Sequence, residues 1–409
     1  MICRQLTGSG AGAKIYRWVR GLREFMGGRG LKSGFNQSRK CLMVMGLLAS
    51  LVLEYSVPAI WGAPGVSSVQ GSVADGQMVT ITGSGFGATG PTVKVFDDFE
   101  GGNNGSAIAY GAGSATVSQW DFAGKDHITY STDYPHGGTK SCKIDFDYIY
   151  MFPRLESQIN VGPGQEVFFS WWQYMPVHTS VPGTNGPEGG GPNLKLFWLY
   201  GWDSYFRSDY VIVLLSNTLP SPYSQFVAAD DPNGRNLWGG RGEYPDIFRK
   251  GVWTRYWLWF KGGASSDGAA GVWQMNATGG FKTIATGRNI TNQTSGKPWR
   301  YIHFPGFGRK DSSSVFYLDD IYVATGAARA RVEIGEKPKY SSCTNLVITT
   351  PVSWSDGQIK TIIRQGGFRS GDKAYLFVID ANGNVSSKGW PMRISSGEMG
   401  ASIPPRNHR

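Results

Sequence analysis

The chain has 409 residues and a formal net charge of +10, yet only 17% of it is charged, with 58 Gly and 15 Trp. That mixture suits an extracellular β protein with many turns and aromatic sheet faces, and excludes a helical or disordered chain. The charge does not mark a nucleic-acid surface. Up to Ala59 there are 9 Lys/Arg against 2 Asp/Glu, which leaves 31 of the 40 against 28 of the 30 for everything beyond it.

The front of the chain predicts export. Arg39-Lys40 precede LMVMGLLASLVL (Leu42–Leu53), an apolar run as long as a signal-peptide core and short for a membrane span. Val57 and Ala59 then stand at the minus-three and minus-one positions of a cleavage site. Residues 1–59 therefore read as an N-terminal extension and signal peptide, with translation open to start at Met26 or Met43. The mature chain is expected to be secreted, at the cell surface or periplasmic, with no stable membrane span; an uncleaved anchor is the other reading. Cys3 and Cys41 fall in the leader, leaving Cys142 and Cys343, with a disulfide between them open. No CxxC or Cys/His spacing predicts zinc or a redox centre.

Residues 60–95 alternate apolar and polar positions between Gly-rich turns, as short strands do. An acidic ribbon, VFDDFEGG (Val95–Gly102), opens the next stretch, and a second, FYLDDIYVA (Phe316–Ala324), closes it. Between them the predicted strands are SQWDFAGKDHITYS, KSCKIDFDYIY, RLESQINV, EVFFSWWQYMP, NLKLFWLYGW, DYVIVLLS, GVWTRYWLWFKGG, AGVWQMNA and RYIHFPGFG. Long loops are expected at Thr179–Pro192 and Leu219–Asp246, of the kind that rims binding grooves. Residues 327–398 alternate again, with a turn at Asn382-Gly383, and 399–409 read as a disordered tail.

The two acidic ribbons resemble the paired first and last strands of a concanavalin A-like jelly roll, which predicts an all-β sandwich over 96–326. WTRYWLWFKGG, its turn and GVWQMNA resemble a hairpin common in jelly-roll polysaccharide lyases, although Asn276-Ala277 stands where those families usually have Asp-Gly. MVTITGSGFG (Met78–Gly87) is similar to the opening of IPT/TIG immunoglobulin-like domains. Thirty residues cannot close such a sandwich, so the missing strands are expected in 327–398, with the jelly roll inserted between. Three domains in a row is the alternative.

Jelly rolls of this type handle sugar on a concave sheet, so the resemblance implies a polysaccharide partner. In PRLESQIN, period-two alternation puts Arg154, Glu156, Gln158 and Asn160 on one face. Arg suits the carboxylate of a uronic acid, and an Arg-x-Glu strand occurs in the lyases. Lys195, Tyr301 and His303 could line the same groove, with Trp172, Trp198, Arg255 and Trp257 as further sugar contacts. As a lyase the chain would use His303, Tyr301 or His178 as base and Arg154 or Lys195 against the carboxylate. The jelly-roll glucanase signature Glu-x-Asp-x-x-Glu is absent, which places hydrolase below lyase. Asp98, Glu100, Asp319 and Asp320 are candidate ligands of a structural calcium ion. Three functions stay open: secreted polysaccharide binding, uronate lyase, and a structural surface protein or adhesin.

Overall fold

The computed structural model describes residues 62–124, 127–146, 154–177, 194–201, 210–216, 223–229, 250–277, 280–293, 296–304 and 314–396. The first strands are β1 (Gly65–Gln70), β2 (Met78–Ser84), β3 (Pro91–Asp97), β4 (Val117–Ser118), β5 (Phe122–Ala123), β6 (Ile128–Ser131) and β7 (Ser141–Phe146). The middle holds β8 (Leu155–Val161), β9 (Glu166–Tyr174), β10 (Leu194–Tyr200), β11 (Tyr210–Ser216), β12 (Tyr223–Ala229), β13 (Thr254–Lys261), β14 (Gly268–Asn276), β15 (Gly280–Ile290) and β16 (Trp299–Phe304). The last are β17 (Ser314–Gly326), β18 (Arg331–Gly335), β19 (Leu346–Ile348), β20 (Thr350–Trp354), β21 (Gln358–Ile362), β22 (Lys373–Ile379) and β23 (Trp390–Arg393). Among the described residues the only helical piece is a single turn at Tyr340–Ser342. None of them forms a helix long and apolar enough to cross a membrane, which says nothing of strands.

Two large antiparallel sheets make a jelly-roll sandwich. One runs β12-β11-β10-β16-β8-β5, the other β15-β14-β13-β9-β17-β3-β4, with β7 and β6 added beside β17. Between them Leu155, Phe197, Leu199, Ile302 and Phe304 of the first meet Val95, Phe169, Trp171, Leu258 and Phe260 of the second. The acidic ribbons do lie side by side: β3 pairs with β17, from Ile321 against Asp97 to Gly326 against Pro91. The predicted β13–β14 hairpin also forms, from Lys261 against Ala269 to Thr254 against Asn276.

Asp97 ends β3 inside the protein, where its carboxylate accepts from Trp120 Nε1 at 2.7 Å and from the Phe99 amide at 3.1 Å. Burial outweighs these bonds and pushes the carboxyl up from 3.8 to about 7. Asp319 is raised in the same direction by burial and by the Asp320 charge. A carboxyl whose pKa is higher folded than unfolded binds its proton more tightly in the native state. Its contribution is therefore present at low pH and lost as pH rises through the folded value. The melting temperature is expected to fall between pH 4 and pH 7, with a shallower slope in Asp97→Asn. An unchanged slope in that variant would contradict the assignment.

Both ends of the chain contribute to a second, smaller pair of sheets, β1-β2-β21-β20 and β19-β18-β22-β23. Here β2 pairs with β21, Met78 facing Ile362 and Ile81 facing Ile359. Val79, Ile81 and Ile359 share one core with Val332, Ile334, Leu376 and Val378 of the other sheet. The sheet holding β18 also covers the outer face of the nine-stranded sheet. Phe96, Phe168, Trp172, Trp257 and Tyr322 pack there against Leu346, Ile348, Phe377 and Ile379. That explains why EVFFSWWQY reads as an almost unbroken apolar run: both of its faces are covered.

Two strands, β12 and β15, were not expected, and one predicted strand is divided. Tyr223–Ala229 lies within the predicted 219–246 loop but pairs with β11 along its whole length. SQWDFAGKDHITYS divides into β4, β5 and β6, which join different partners. Cys142 is buried in the jelly-roll core and Cys343 at the junction with the smaller sheets, and each is a free thiol. The leader, the Thr179–Pro192 loop and the tail lie outside the described residues.

Candidate functional site

The six-stranded sheet turns its second face away from the core, and β8 sets its chemistry. Leu155, Ser157 and Ile159 are buried on the inner side, while Glu156 and Gln158 alternate onto the other. Register then aligns the neighbours. Glu156 faces Phe122 on β5 and His303 on β16, and His303 in turn faces Trp198 on β10. One row across four strands therefore reads Phe122, Glu156, His303, Trp198. The next row has Gln158 opposite Tyr301 and Tyr301 opposite Tyr200. Arg154 precedes Glu156 by two positions and shares its side.

These groups are bonded to one another. His303 Nε2 lies 2.6 Å from Glu156 Oε2, and Arg154 Nε donates to the same oxygen at 3.1 Å. Arg154 also covers the Phe122 ring, its Cζ 4.5 Å from the ring centre. The Trp198 indole meets the His303 ring edge-on at 6.4 Å. Burial alone would raise the Glu156 carboxyl, but the His303 hydrogen bond and the Arg154 charge hold it below its ordinary value. Burial lowers His303, partly opposed by Glu156. An ionised Glu156 thus accepts the Nε2 proton of a neutral His303.

The expected residues divide between places. Arg154, Glu156, Gln158, Tyr301, His303 and Trp198 gather on this face. Lys195 belongs to β10, paired with Leu214, but its side chain lies outside the described residues, as does His178 altogether. Trp172, Arg255 and Trp257 are on the other large sheet, and there the expectation of sugar contact is corrected. Period-two alternation did put Arg255 and Trp257 on one side of β13, but protein covers that side. Trp172 is stacked on the His136 ring at 3.8 Å. Arg255 is enclosed, donating to Ser170 Oγ at 2.9 Å, to the Leu346 carbonyl at 3.1 Å and to both oxygens of Glu333.

The four acidic residues come together along a cleft of about 690 Å³ whose other wall carries Arg364 and Arg369. Their oxygens already have donors. Glu100 accepts from the Thr139 and Lys140 amides, both at 2.8 Å, and from Thr139 Oγ1 at 2.6 Å. This grip needs a glycine at 138, where φ is +58° and a Cβ would lie 2.4 Å from Glu100 Oε1. Asp319 accepts from the His136, Gly137 and Asp320 amides. Asp98 takes the Thr116 hydroxyl at 2.6 Å, and Asp320 lies 3.3 Å from His136 Nδ1. Among the described residues no three His, Cys, Asp or Glu side chains converge as metal ligands do. As arranged, these residues do not fit calcium, which wants six to eight oxygens. A chelator is expected to leave the melting temperature unchanged; a fall on chelation would reveal a bound ion.

No protein-family model and no curated protein matches the sequence. Among solved structures the chain is similar to an endo-β-1,4-glucuronan lyase from the fungus Trichoderma reesei, at 14% identity, over 54% of this chain and 96% of that one, with a TM-score of 0.35. It is similar to a marine PL-14 alginate lyase from Aplysia kurodai, at 13% identity, over 54% and 97%, with a TM-score of 0.35. It is also similar to the catalytic domain of a GH131 β-glucanase from Podospora anserina, at 14% identity, over 57% of this chain and 96% of that one, with a TM-score of 0.33. Likeness this distant says nothing about the ligand or reaction of this chain.

Sequence reading did not single out Phe122 or Glu333. Phe122 sits on a two-residue strand, too short for any periodicity to show. Glu333 is an ordinary alternating position in RVEIG, and only the fold reveals that Arg255 reaches it.

Proposed function

We propose that the protein is an exported polysaccharide lyase that acts on uronate polymers across the β10–β16–β8–β5 face. The observation that carries this reading is the bonded series Arg154–Glu156–His303 on adjacent strands, with Tyr301 in the neighbouring row. In this reading Arg154 holds the uronate carboxylate and offsets the charge that grows there. His303 takes the proton from the carbon next to the carboxyl, and Glu156 steadies the imidazolium that forms. The bond from the adjacent carbon to the glycosidic oxygen breaks, its electrons stay on that oxygen, and the Tyr301 hydroxyl supplies the proton. A carbon–carbon double bond remains in the product; the His303 imidazolium then gives up its extra proton to water and the Tyr301 phenolate takes one back.

A second reading, binding without cleavage, is favoured by the burial of His303 and Glu156. Incubation with glucuronan and alginate, following both ultraviolet absorbance of unsaturated ends and retention in affinity electrophoresis, separates the two. Absorbance with retention supports the lyase, retention alone supports binding, and neither would overturn both. Export is supported by the basic and apolar leader. We also read the two smaller sheets as one immunoglobulin-like domain of IPT/TIG type, interrupted by the jelly roll. The β2–β21 pairing and the shared core support that reading.

A further inference from the structure

Beside Arg154 the same face ends in an aromatic ledge. Tyr110 is 51% exposed, although few large apolar side chains among the described residues stand out so far. It is held in place by a turn in which the Gly111 amide donates to the Trp120 carbonyl at 2.8 Å. Its ring stacks on Phe122, with centroids 5.9 Å apart and planes 29° from parallel. Phe122 belongs to the edge strand β5, directly opposite Glu156, and lies under the Arg154 guanidinium. Arg154 spends only Nε on Glu156; its two terminal nitrogens donate to no acceptor among the described residues, and the side chain is 26% exposed. Asp121 and Gln119 rim the ledge, bonded to each other at 3.2 Å.

An exposed, backed aromatic ring, a planar cation with two donors to spare and a polar rim form a combination with a specific chemistry. The ring offers a flat surface to the C–H face of a pyranose, the fork matches a carboxylate, and the rim can bond hydroxyls. Resting on the reading of this face as a uronate-polymer site, we infer that Tyr110 and Phe122 form a stacking subsite for one sugar ring at its β5 edge. The unit bound there is the same uronate whose carboxylate Arg154 holds in the proposed reaction, on its terminal nitrogens. The polymer then crosses the strands from β5 toward β10, and Tyr110 determines how firmly that unit is held.

The test is affinity electrophoresis of the full chain in gels containing glucuronan or alginate, with the same polymer after carboxyl reduction as a comparison. Tyr110→Ala is expected to weaken retention by the uronate polymer about 3–10-fold, the effect of one aromatic stacking contact, while Tyr110→Phe retains as the native protein does. Arg154→Ala is expected to erase the native preference for the uronate over the reduced polymer, which Tyr110→Ala keeps. Circular dichroism of each variant guards against misfolding, and Tyr110→Phe, which keeps the ring, is the conservative probe. If Tyr110→Ala binds like the native protein while Arg154→Ala does not, the ledge is overturned and the polysaccharide reading stands. If the native protein is retained by neither polymer, both fall.

Discussion

Replacing His303 with alanine is expected to leave polymer retention near the native level while slowing release of unsaturated product at least 100-fold, the lower end of what a positioned acid or base supplies. His303 touches the reacting proton in the proposed chemistry, whereas retention rests on Arg154 and the ledge. Glu156→Gln provides the sharper readout. Glu156 raises the His303 pKa against the lowering effect of burial, so losing its charge lets His303 fall further. Activity that requires neutral His303 rises with pH through that pKa, and its acid limb is expected to move to lower pH in Glu156→Gln. The maximal rate should also drop, because the imidazolium loses its counter-charge. Stopped assays across pH, with kcat and KM resolved separately, decide the matter. Native kcat in His303→Ala would remove His303 from the mechanism.

The second large effect is on stability. Glu333 is fully enclosed, paired with Arg255 at 3.0 Å and bonded to Arg331 and to the Tyr340 hydroxyl. Arg255 belongs to the jelly roll and the other members to the smaller sheets, so this cluster pins the two sandwiches together. Removing one partner of such a pair strands the other charge away from water, at a cost of about 3–5 kcal/mol. Glu333→Ala is therefore expected to lower the denaturation midpoint severely, because two guanidinium groups lose their carboxylate at once. Replacing Glu333, Arg255 and Arg331 together with apolar residues of similar volume should cost less than Glu333→Ala alone. Denaturant titrations of both variants check this; equal costs would show that packing, not charge, dominates. The pH sign is opposite to that of Asp97. Burial would raise Glu333, but Arg255 and Arg331 hold it below 4.5, so its contribution is lost as pH falls through that lowered value.

Much of the architecture was legible because it is written in alternation. RLESQINV shows one polar side and one apolar side, and it became the strand whose polar side carries the candidate site. EVFFSWWQY and TRYWLWFK lack that contrast because they are covered twice. Their surplus of rings was read as a sugar platform, but a covering sheet accounts for it. Alternation says which side chains share a face and not what covers the face, hence the misplacement of Trp172, Arg255 and Trp257. Gly280–Ile290 went unseen for a different reason: an edge strand with Lys282, Thr283, Thr286 and Arg288 on exposed positions has little apolar signal. Glu100 was read as a metal ligand because a carboxylate in a turn looks the same whether it meets an ion or the amides of Thr139 and Lys140.

The crossing of chain ends in the smaller sheets also bears on how the protein is made. Gly87 finds its acceptor on Asp356, 269 residues later, and Asp75 waits for the Gln365 amide, 290 residues later. At roughly 5–20 residues per second, the ribosome delivers those partners about 13–58 s after the first strands emerge. Throughout that interval β2 has an unfilled edge and the apolar side of Val79 and Ile81 has no cover. Slow synthesis or early truncation should thus leave aggregation-prone chains, and a holding chaperone should matter more here than in a protein whose sandwiches close in order of synthesis.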